Sequence, residues 1–223
     1  MTDRPYDVIT FDCYGTLIDW NGGIASAFQS EVAGMGVDLP RASVLSAYHE
    51  IEPKLQTEDY RPYREVLAEG AVAVWNELGL GSKPTDGQFL AESIGGWLPF
   101  EDTNRSLSAL KQRGFRLGIL SNVDDLIVRK TTEHFEVEFD FIVTAEQVQS
   151  YKPKPAHFEV ARGMVGEGKW LHVAQSWFHD VVPATRFGIP VVWVNRLGED
   201  RGDGGSPIVE VADLSKLVSW LER

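Results

Sequence analysis

Four short polar stretches, each just after an apolar run, hold residue types that chemistry needs: Asp12 with Thr16, Ser121 with Asn122, Lys152, and Gln175-Ser176 with Asp180. A carboxylate at such a junction can serve as nucleophile or base, a hydroxyl can hold a substrate, and a lysine can neutralise charge. Each also has a structural explanation. Ser121-Asn122 and Asp180 could cap the helices that follow, Asp12 could close its turn, and Lys152 could be a solvated charge before Pro153 and Pro155. The functional signal is their shared position, because in a parallel sheet all strand-to-helix junctions lie on one edge, where ligands bind.

The elements that must position them follow from periodicity. Val8, Ile9, Thr10 and Phe11 run into Asp12, Gly15 and Thr16, which predicts a buried parallel strand ending in a tight turn. Ile24, Phe28 and Val32 recur every four residues before Gly34 and Gly36, and a second helix follows Pro40 with Val44, Leu45, Tyr48 and Ile51, stopping near Pro53. A third follows Pro62 and ends before Gly79, and a fourth covers 89–97. From residue 102 the pattern alternates: strands are predicted at 115–120, 139–144, 171–174 and 190–195, and helices at 102–112, 125–135, 156–165, 181–187 and 214–221. Residues 199–206, rich in Gly and Asp, form an exposed loop. The fold class is α/β: a parallel sheet core from residues 1–19 and 97–223, with a helical unit, 20–96, inserted after the first strand.

Composition bounds the partners. The 223 residues, 43% of them hydrophobic, suffice for a real core, and the formal net charge of −12 argues against nucleic acid or an anionic membrane surface. No apolar run approaches a membrane span and the first residues lack the form of a leader segment, so a cytoplasmic protein is expected. The single cysteine, Cys13, excludes an internal disulfide and a thiol-based zinc cluster, and is expected to be a small buried strand residue. An apolar face on the helical unit leaves room for a homodimer.

The order Asp-x-Tyr-Gly-Thr at 12–16, Ser121-Asn122 after an apolar strand, Lys-Pro-x-Pro at 152–155, then a loop bearing Asp180, resembles the haloacid dehalogenase superfamily over essentially the whole chain. The resemblance implies a Rossmann-like core with Asp12 as nucleophile, a hydroxyl at Ser121, a charge-neutralising Lys152 and residues 20–96 as a cap domain. Most of that superfamily are magnesium phosphatases, in which a second aspartate two residues after the nucleophile protonates the leaving alkoxide. Here that position is Tyr14, with an unperturbed pKa of about 10, and losing a general acid costs on the order of 10² to 10⁴ in rate. Gln175 stands where the phosphatases place an acid that holds Mg²⁺. Acid and metal site are compromised together, so no metal or other cofactor is expected.

A halide on carbon leaves as a stable anion without a proton, and a carboxylate can displace it to form an ester. The 2-haloacid dehalogenases share Asp-x-Tyr-Gly-Thr and lack the second aspartate. That similarity implies attack by Asp12 on carbon 2 of a small 2-substituted carboxylate. It implies further that Ser121, Thr16 and backbone amides bind the substrate carboxylate, that Lys152 keeps Asp12 ionised, and that Asp180 acts as base or orients Lys152. Tyr14, Asn122, Ser176 and His179 fall at the substrate. The cap arginine that normally helps bind the halide is sought at Arg64 or Arg61, with His49 as a weaker candidate. The chain departs from the branch at Trp177, where a polar group is usual, and at Phe158, where tyrosine is common. The segment 11–20 is also similar to enzymes that open azetidine-2-carboxylate, whose ring nitrogen leaves as an amine, and a magnesium-dependent phosphatase is the remaining alternative.

Overall fold

The computed structural model describes residues 4–56, 59–81 and 85–223. Residues 1–3, on which the expected lack of a leader segment rests, lie outside the described residues. Strand β1 (Val8–Phe11) leads into four helices, α1 (Trp20–Glu31), α2 (Arg41–Leu55), α3 (Tyr63–Glu77) and α4 (Gln88–Ser93). Alternation then resumes with α5 (Thr103–Gln112), β2 (Arg116–Ser121), α6 (Asp125–Thr132), β3 (Phe141–Thr144), α7 (Ala145–Val148) and α8 (Ala156–Val165). It closes with β4 (Trp170–Ala174), α9 (Val182–Arg186), β5 (Val191–Val194), β6 (Val209–Val211) and α10 (Leu214–Trp220).

The six strands are parallel and ordered β3-β2-β1-β4-β5-β6. The chain builds outward from β1 to β3, then crosses to the other side of β1 with β4. The order therefore reverses beside β1, and the carboxyl end of β1 is the switch point where sheets of this kind bind ligands. Every residue of β1 is buried. Ile9 and Phe11 join Leu117, Ile119, Leu171 and Val173 on one face, while Val8 joins Leu120, Val143, Trp170 and Trp193 on the other. Burial on both faces is why these strands show as apolar runs rather than as alternation. The first face continues into the inserted helices through Ile24, Phe28, Val44, Tyr48, Leu67 and Leu90, all fully buried.

Several element bounds differ from the periodicity. Helix α1 begins at Trp20, earlier than its first apolar repeat, because Asp19 Oδ1 accepts the Gly22 N–H at 2.8 Å and caps it. Helix α2 runs through Pro53 to Leu55, where a proline in the last turn costs a single intrahelical bond. Helix α4 stops at Ser93 and gives way to a 3₁₀ turn, Ile94–Gly96. The expected loop before Asp180 is a π-helical turn, Trp177–Val181, capped by Ser176 Oγ, which accepts the His179 N–H at 3.2 Å. Strand β6 and helix α7, of three and four residues, are too short for a period to show. No helix among the described residues is long and apolar enough to cross a membrane.

One carboxylate ties the inserted helices to the sheet. Asp124, just past β2 and 4% exposed, accepts the Tyr63 N–H on Oδ1 at 2.7 Å and the Arg64 N–H on Oδ2 at 3.0 Å. It thus caps α3 from across the molecule, satisfying two of the N–H groups that a helix start leaves open. Asp124→Ala should destabilise the protein by about 1–2 kcal/mol, the usual worth of such a cap, read as a lower urea midpoint.

Candidate active site

The turn after β1 is built to present Asp12. Leu17 N and Ile18 N both donate to Cys13 O, at 2.7 and 3.0 Å, and Gly15 takes φ +90°, a conformation that penalises any side chain. Cys13 itself is buried. Thr16 turns back to Asp12: its hydroxyl donates to Asp12 Oδ2 at 2.8 Å and accepts the Gln175 N–H at 2.9 Å. Both capacities of that hydroxyl are used. Thr16 therefore holds Asp12 and the loop after β4 in register, and is not free to bind a substrate carboxylate.

Lys152 lies beneath, 1% exposed, with three acceptors for its three N–H groups: Asp12 Oδ1 at 2.9 Å, Asp180 Oδ1 at 2.6 Å and the Leu120 carbonyl at 2.8 Å. Burial works against its charge, but the two carboxylates outweigh this and raise its pKa, so it is an ammonium. Burial also opposes ionisation of Asp180. The Lys152 charge and the bonds from His172 and Lys152 more than offset it and hold Asp180 at about 2. Burial raises Asp12, with the Asp180 charge acting in the same direction, and Lys152 and Thr16 recover only part of the cost. Of two carboxylates sharing one ammonium, Asp12 is the more basic.

Behind Asp180 runs a second line of bonds that the sequence reading missed. His172 Nε2 lies 3.0 Å from Asp180 Oδ1, its Nδ1 lies 2.8 Å from Thr10 Oγ1, and the Trp170 indole N–H donates to Thr10 Oγ1 at 2.8 Å. The indole can only donate, and the Asp180 carboxylate can only accept. His172 therefore donates from Nε2 to Asp180, and in the neutral ring its Nδ1 accepts from Thr10 Oγ1. The signal was a histidine amid Leu171, Val173 and Ala174, directly opposite Thr10 in the β1–β4 register.

Above this floor opens a pocket of ≈ 690 Å³ lined from the sheet edge and from α1 to α3. It contains Asp12, Tyr14, Ser121, Asn122, Lys152, Ser176, His179 and Asp180 from the sequence reading. Two buried atoms on this floor have no partner among the described residues, Ser121 Oγ and Asp180 Oδ2. Tyr14 Oη bonds Thr131 Oγ1 at 2.6 Å, and burial lifts the phenol well above 10, so it stays neutral. Asn122 is committed to its neighbour: its Oδ1 accepts the Lys152 N–H at 2.7 Å and its Nδ2 donates to Lys152 O at 3.1 Å. Ser176 Oγ lies 3.1 Å from His179 Nδ1, and burial lowers His179 to about 4, leaving a neutral ring.

The expected cap arginine is a correction. Arg64 is exposed at the start of α3, outside the pocket, because that helix turns Tyr63 inward, and Arg61 pairs with Glu69 at 2.5 Å. Arg41, at the start of α2, lines the pocket instead, 4.0 Å from Asp19 and half exposed. His49 also lines it, stacked on Trp20 at 5.3 Å with 3° between planes, and burial lowers its pKa. The wall holds one more group absent from the sequence reading, Glu52 on α2. Its spacing was visible, since Val44, Tyr48 and Glu52 fall four apart on one buried stripe.

The donor set does not fit a magnesium ion, which needs a near-octahedral shell of oxygens. The Oδ1 atoms of Asp12 and Asp180 are both spent on Lys152, Asp12 Oδ2 is held by Thr16, and the Gln175 amide donates to Glu199 at 3.1 Å.

A parallel α/β sheet of Rossmann-like form, with inserted helices over its switch point, defines the fold. A family model described as haloacid dehalogenase-like hydrolase matches residues 6–203, and the chain belongs to that family of hydrolases. It is 30% identical over 203 residues to haloacetate dehalogenase H-2 of Moraxella sp. (strain B), spanning 87% of this chain and 88% of that one. It is 28% identical to (S)-2-haloacid dehalogenase H-109 of Pseudomonas putida, over 98% and 99% of the two chains. The solved L-2-haloacid dehalogenase of Xanthobacter autotrophicus with chloropropionic acid covalently bound shares the fold, with a TM-score of 0.82 over 97% of this chain and 98% of that one, at 19% identity.

Removing the ammonium exposes what it offsets. Lys152→Met leaves two carboxylates buried without a counter-charge and should destabilise the protein at neutral pH by about 3–5 kcal/mol. Both carboxyls would then have folded-state pKa values above their unfolded ones, which favours the folded state only when they are protonated. The gap to the parent should narrow as pH falls, in urea unfolding compared at neutral and mildly acid pH.

Proposed function

We propose that the protein is a metal-independent hydrolase of small 2-substituted carboxylates, acting as a 2-haloacid dehalogenase through an ester on Asp12. The observation that carries this reading is Gln175, whose neutral amide donates to Glu199 at 3.1 Å where phosphoryl transfer would need a metal-binding acid. The Tyr14 phenol, engaged by Thr131, offers no acid for an alkoxide. The relatives from Moraxella and Pseudomonas, named as dehalogenases, support the same chemistry.

Asp12 Oδ2 attacks carbon 2, the new C–O bond forms, and the halide departs with the bonding pair and no proton. The ester carbonyl is then Oδ1, facing Lys152 Nζ at 2.9 Å. Water adds to that carbonyl carbon while Asp180 Oδ2, the free oxygen of its carboxylate, accepts the water proton. Lys152 stabilises the resulting oxyanion, a role in which a preorganised donor is worth about 2.7–4 kcal/mol. Collapse releases the 2-hydroxy acid as the proton returns from Asp180 to the leaving oxygen, and Asp12, left as the carboxylic acid, loses the second water proton to solvent to restore the carboxylate. Ser121 Oγ holds the substrate carboxylate, Arg41 attracts it from the mouth, and helices α1–α4 act as a cap that excludes water. The substrate is a small molecule in the cytoplasm, with no nucleic acid or membrane involved.

A single turnover of 2-chloropropionate in H₂¹⁸O should place label in the Asp12 carboxylate before any appears in product, and Asp12→Asn should abolish turnover. Label in the first-turnover product would indicate direct attack by water and overturn the reading. A chelator should leave the rate unchanged, whereas metal-stimulated p-nitrophenyl phosphate hydrolysis would favour the phosphatase alternative. Asp12 must be ionised to attack, and its pKa is raised by burial. The rate should therefore fall on the acid side at a pH above the ordinary aspartate value of about 3.9.

A further inference from the structure

The rim of the pocket above Asp12 carries two apolar side chains on the loops that follow β4 and β5. Phe178 is 61% exposed and Leu197 57%, and both line that pocket. A lone exposed apolar side chain needs no explanation, but two from separate loops at one cavity mark a binding surface.

Both are held from behind. Trp177 turns its indole onto Trp193, with 4.8 Å between centroids and 75° between planes, and donates to Asp203 O at 3.1 Å. Gly205, in the loop rich in Gly and Asp, passes so close that a Cβ there would lie 2.7 Å from that indole, so the loop closes over the ring only without a side chain. With Trp177 committed there, Phe178 projects outward, and His179 stands edge-on to its ring at 5.0 Å and 74°. Leu197 lies between two anchors. Arg196 bonds both oxygens of Asp102 at 3.0 Å, and the Asn195 side chain bonds the Glu199 N–H and carbonyl at 2.8 and 2.9 Å. An apolar surface ordered in advance costs a ligand little to bind.

The space beneath this rim exceeds what a three-carbon acid fills. At ≈ 690 Å³ it lies in the range of about 300–1,000 Å³ that holds drug-sized ligands. It equals the volume of about twenty waters at roughly 30 Å³ each. A three-carbon acid on Asp12 would leave most of that water in place, and water weakens the charge interactions on which the ester chemistry relies. Glu199, the acid of the same rim, is taken by the Gln175 amide at 3.1 Å. What the β4 and β5 loops offer a ligand at the rim is apolar.

We propose that Phe178 and Leu197 form a subsite for an apolar substituent on carbon 2, so that the preferred substrates are 2-substituted carboxylates whose side chain, alkyl or aryl, reaches from Asp12 to the rim. The reaction of such acids rests on the Asp12 reading above; the subsite does not. The bonds formed and broken are unchanged. The substituent displaces pocket water and covers the two exposed side chains, and neither Phe178 nor Leu197 touches the reacting atoms.

Unreactive acids test the subsite without turnover. By calorimetry the parent should bind hexanoate about 30- to 60-fold more tightly than propionate, near fourfold for each added methylene, with a more negative heat-capacity change. Phe178→Ser should cut that advantage by about 5- to 10-fold and leave the affinity for propionate unchanged. Both side chains are exposed, so Phe178→Ser and Leu197→Ser should keep the parent's urea midpoint. Equal affinities in the parent, or an advantage that survives intact in both variants, would overturn the proposal whatever the turnover result. A parent dimer that Phe178→Ser dissociates without touching the hexanoate preference would assign the pair to an interface between copies and overturn it too. In turnover, kcat/KM should be higher for 2-chlorohexanoate than for 2-chloropropionate, and Phe178→Ser should lower only the former. If hexanoate is preferred but neither chloro acid is turned over, the Asp12 reading fails and the subsite stands.

Discussion

The structure depends on a single buried ammonium. Two carboxylates with almost no exposure, Asp12 and Asp180, approach Lys152 Nζ at 2.9 and 2.6 Å, and each ion so buried costs several kcal/mol before its partners are counted. One positive charge cannot cancel two negative ones. The remainder falls on hydrogen bonds: Thr16 to Asp12, His172 to Asp180, and the Leu120 carbonyl to the third proton of Lys152. These supports differ in kind. Asp180 gains a second N–H donor and stays a weak base, while Asp12 gains a hydroxyl and remains the more basic carboxylate. That asymmetry suits a nucleophile beside a proton acceptor that must give its proton back.

The sheet makes this arrangement geometrically cheap. Asp12, Leu120, Lys152 and Asp180 come from four separate segments, yet β1, β2 and β4 are adjacent and parallel, so their carboxyl ends meet. The line from Trp170 through Thr10 to His172 runs inside the layer, across the β1–β4 pairing, and ends at an indole that cannot pass a proton on. It fixes a tautomer without conducting. In the proposed mechanism Asp180 therefore exchanges its proton on the pocket side only, where Oδ2 has no partner among the described residues.

What was legible in the sequence follows from how locally each feature is encoded. The alternation of strands and helices and the helices of 20–96 were visible because β1 to β5 and α1 to α3 are long enough for a period to show. β6 and the π-helical turn were not, since a three-residue edge strand and one capped turn carry none. On the floor, Asp12, Lys152 and Asp180 were marked by their place after apolar runs, and the structure brings them within hydrogen-bond reach. Thr16 and Asn122 were marked too, but their partners could not be known: Thr16 is spent between Asp12 and Gln175, and Asn122 on the Lys152 main chain. The cap wall was illegible for another reason. Which helical side chain faces the pocket depends on how α2 and α3 rotate against the sheet, and the Asp124 cap that turns Tyr63 inward leaves Arg64 in solvent.

Floor and wall are therefore constrained unequally. Every polar atom of Lys152 and three of the four carboxylate oxygens around it are bonded, so a change there propagates through several partners at once. The wall is one stripe of α2, where Glu52 is held by Gln56 and Tyr63 and reaches the floor only through Gln56, whose Oε1 lies 3.5 Å from Asn122 Nδ2, among the described residues. A substitution at that position alters the charge of the pocket wall without removing any bond of Lys152, Asp12 or Asp180. A hydrolase built in this way can vary a single helical face of its pocket while the floor stays fixed.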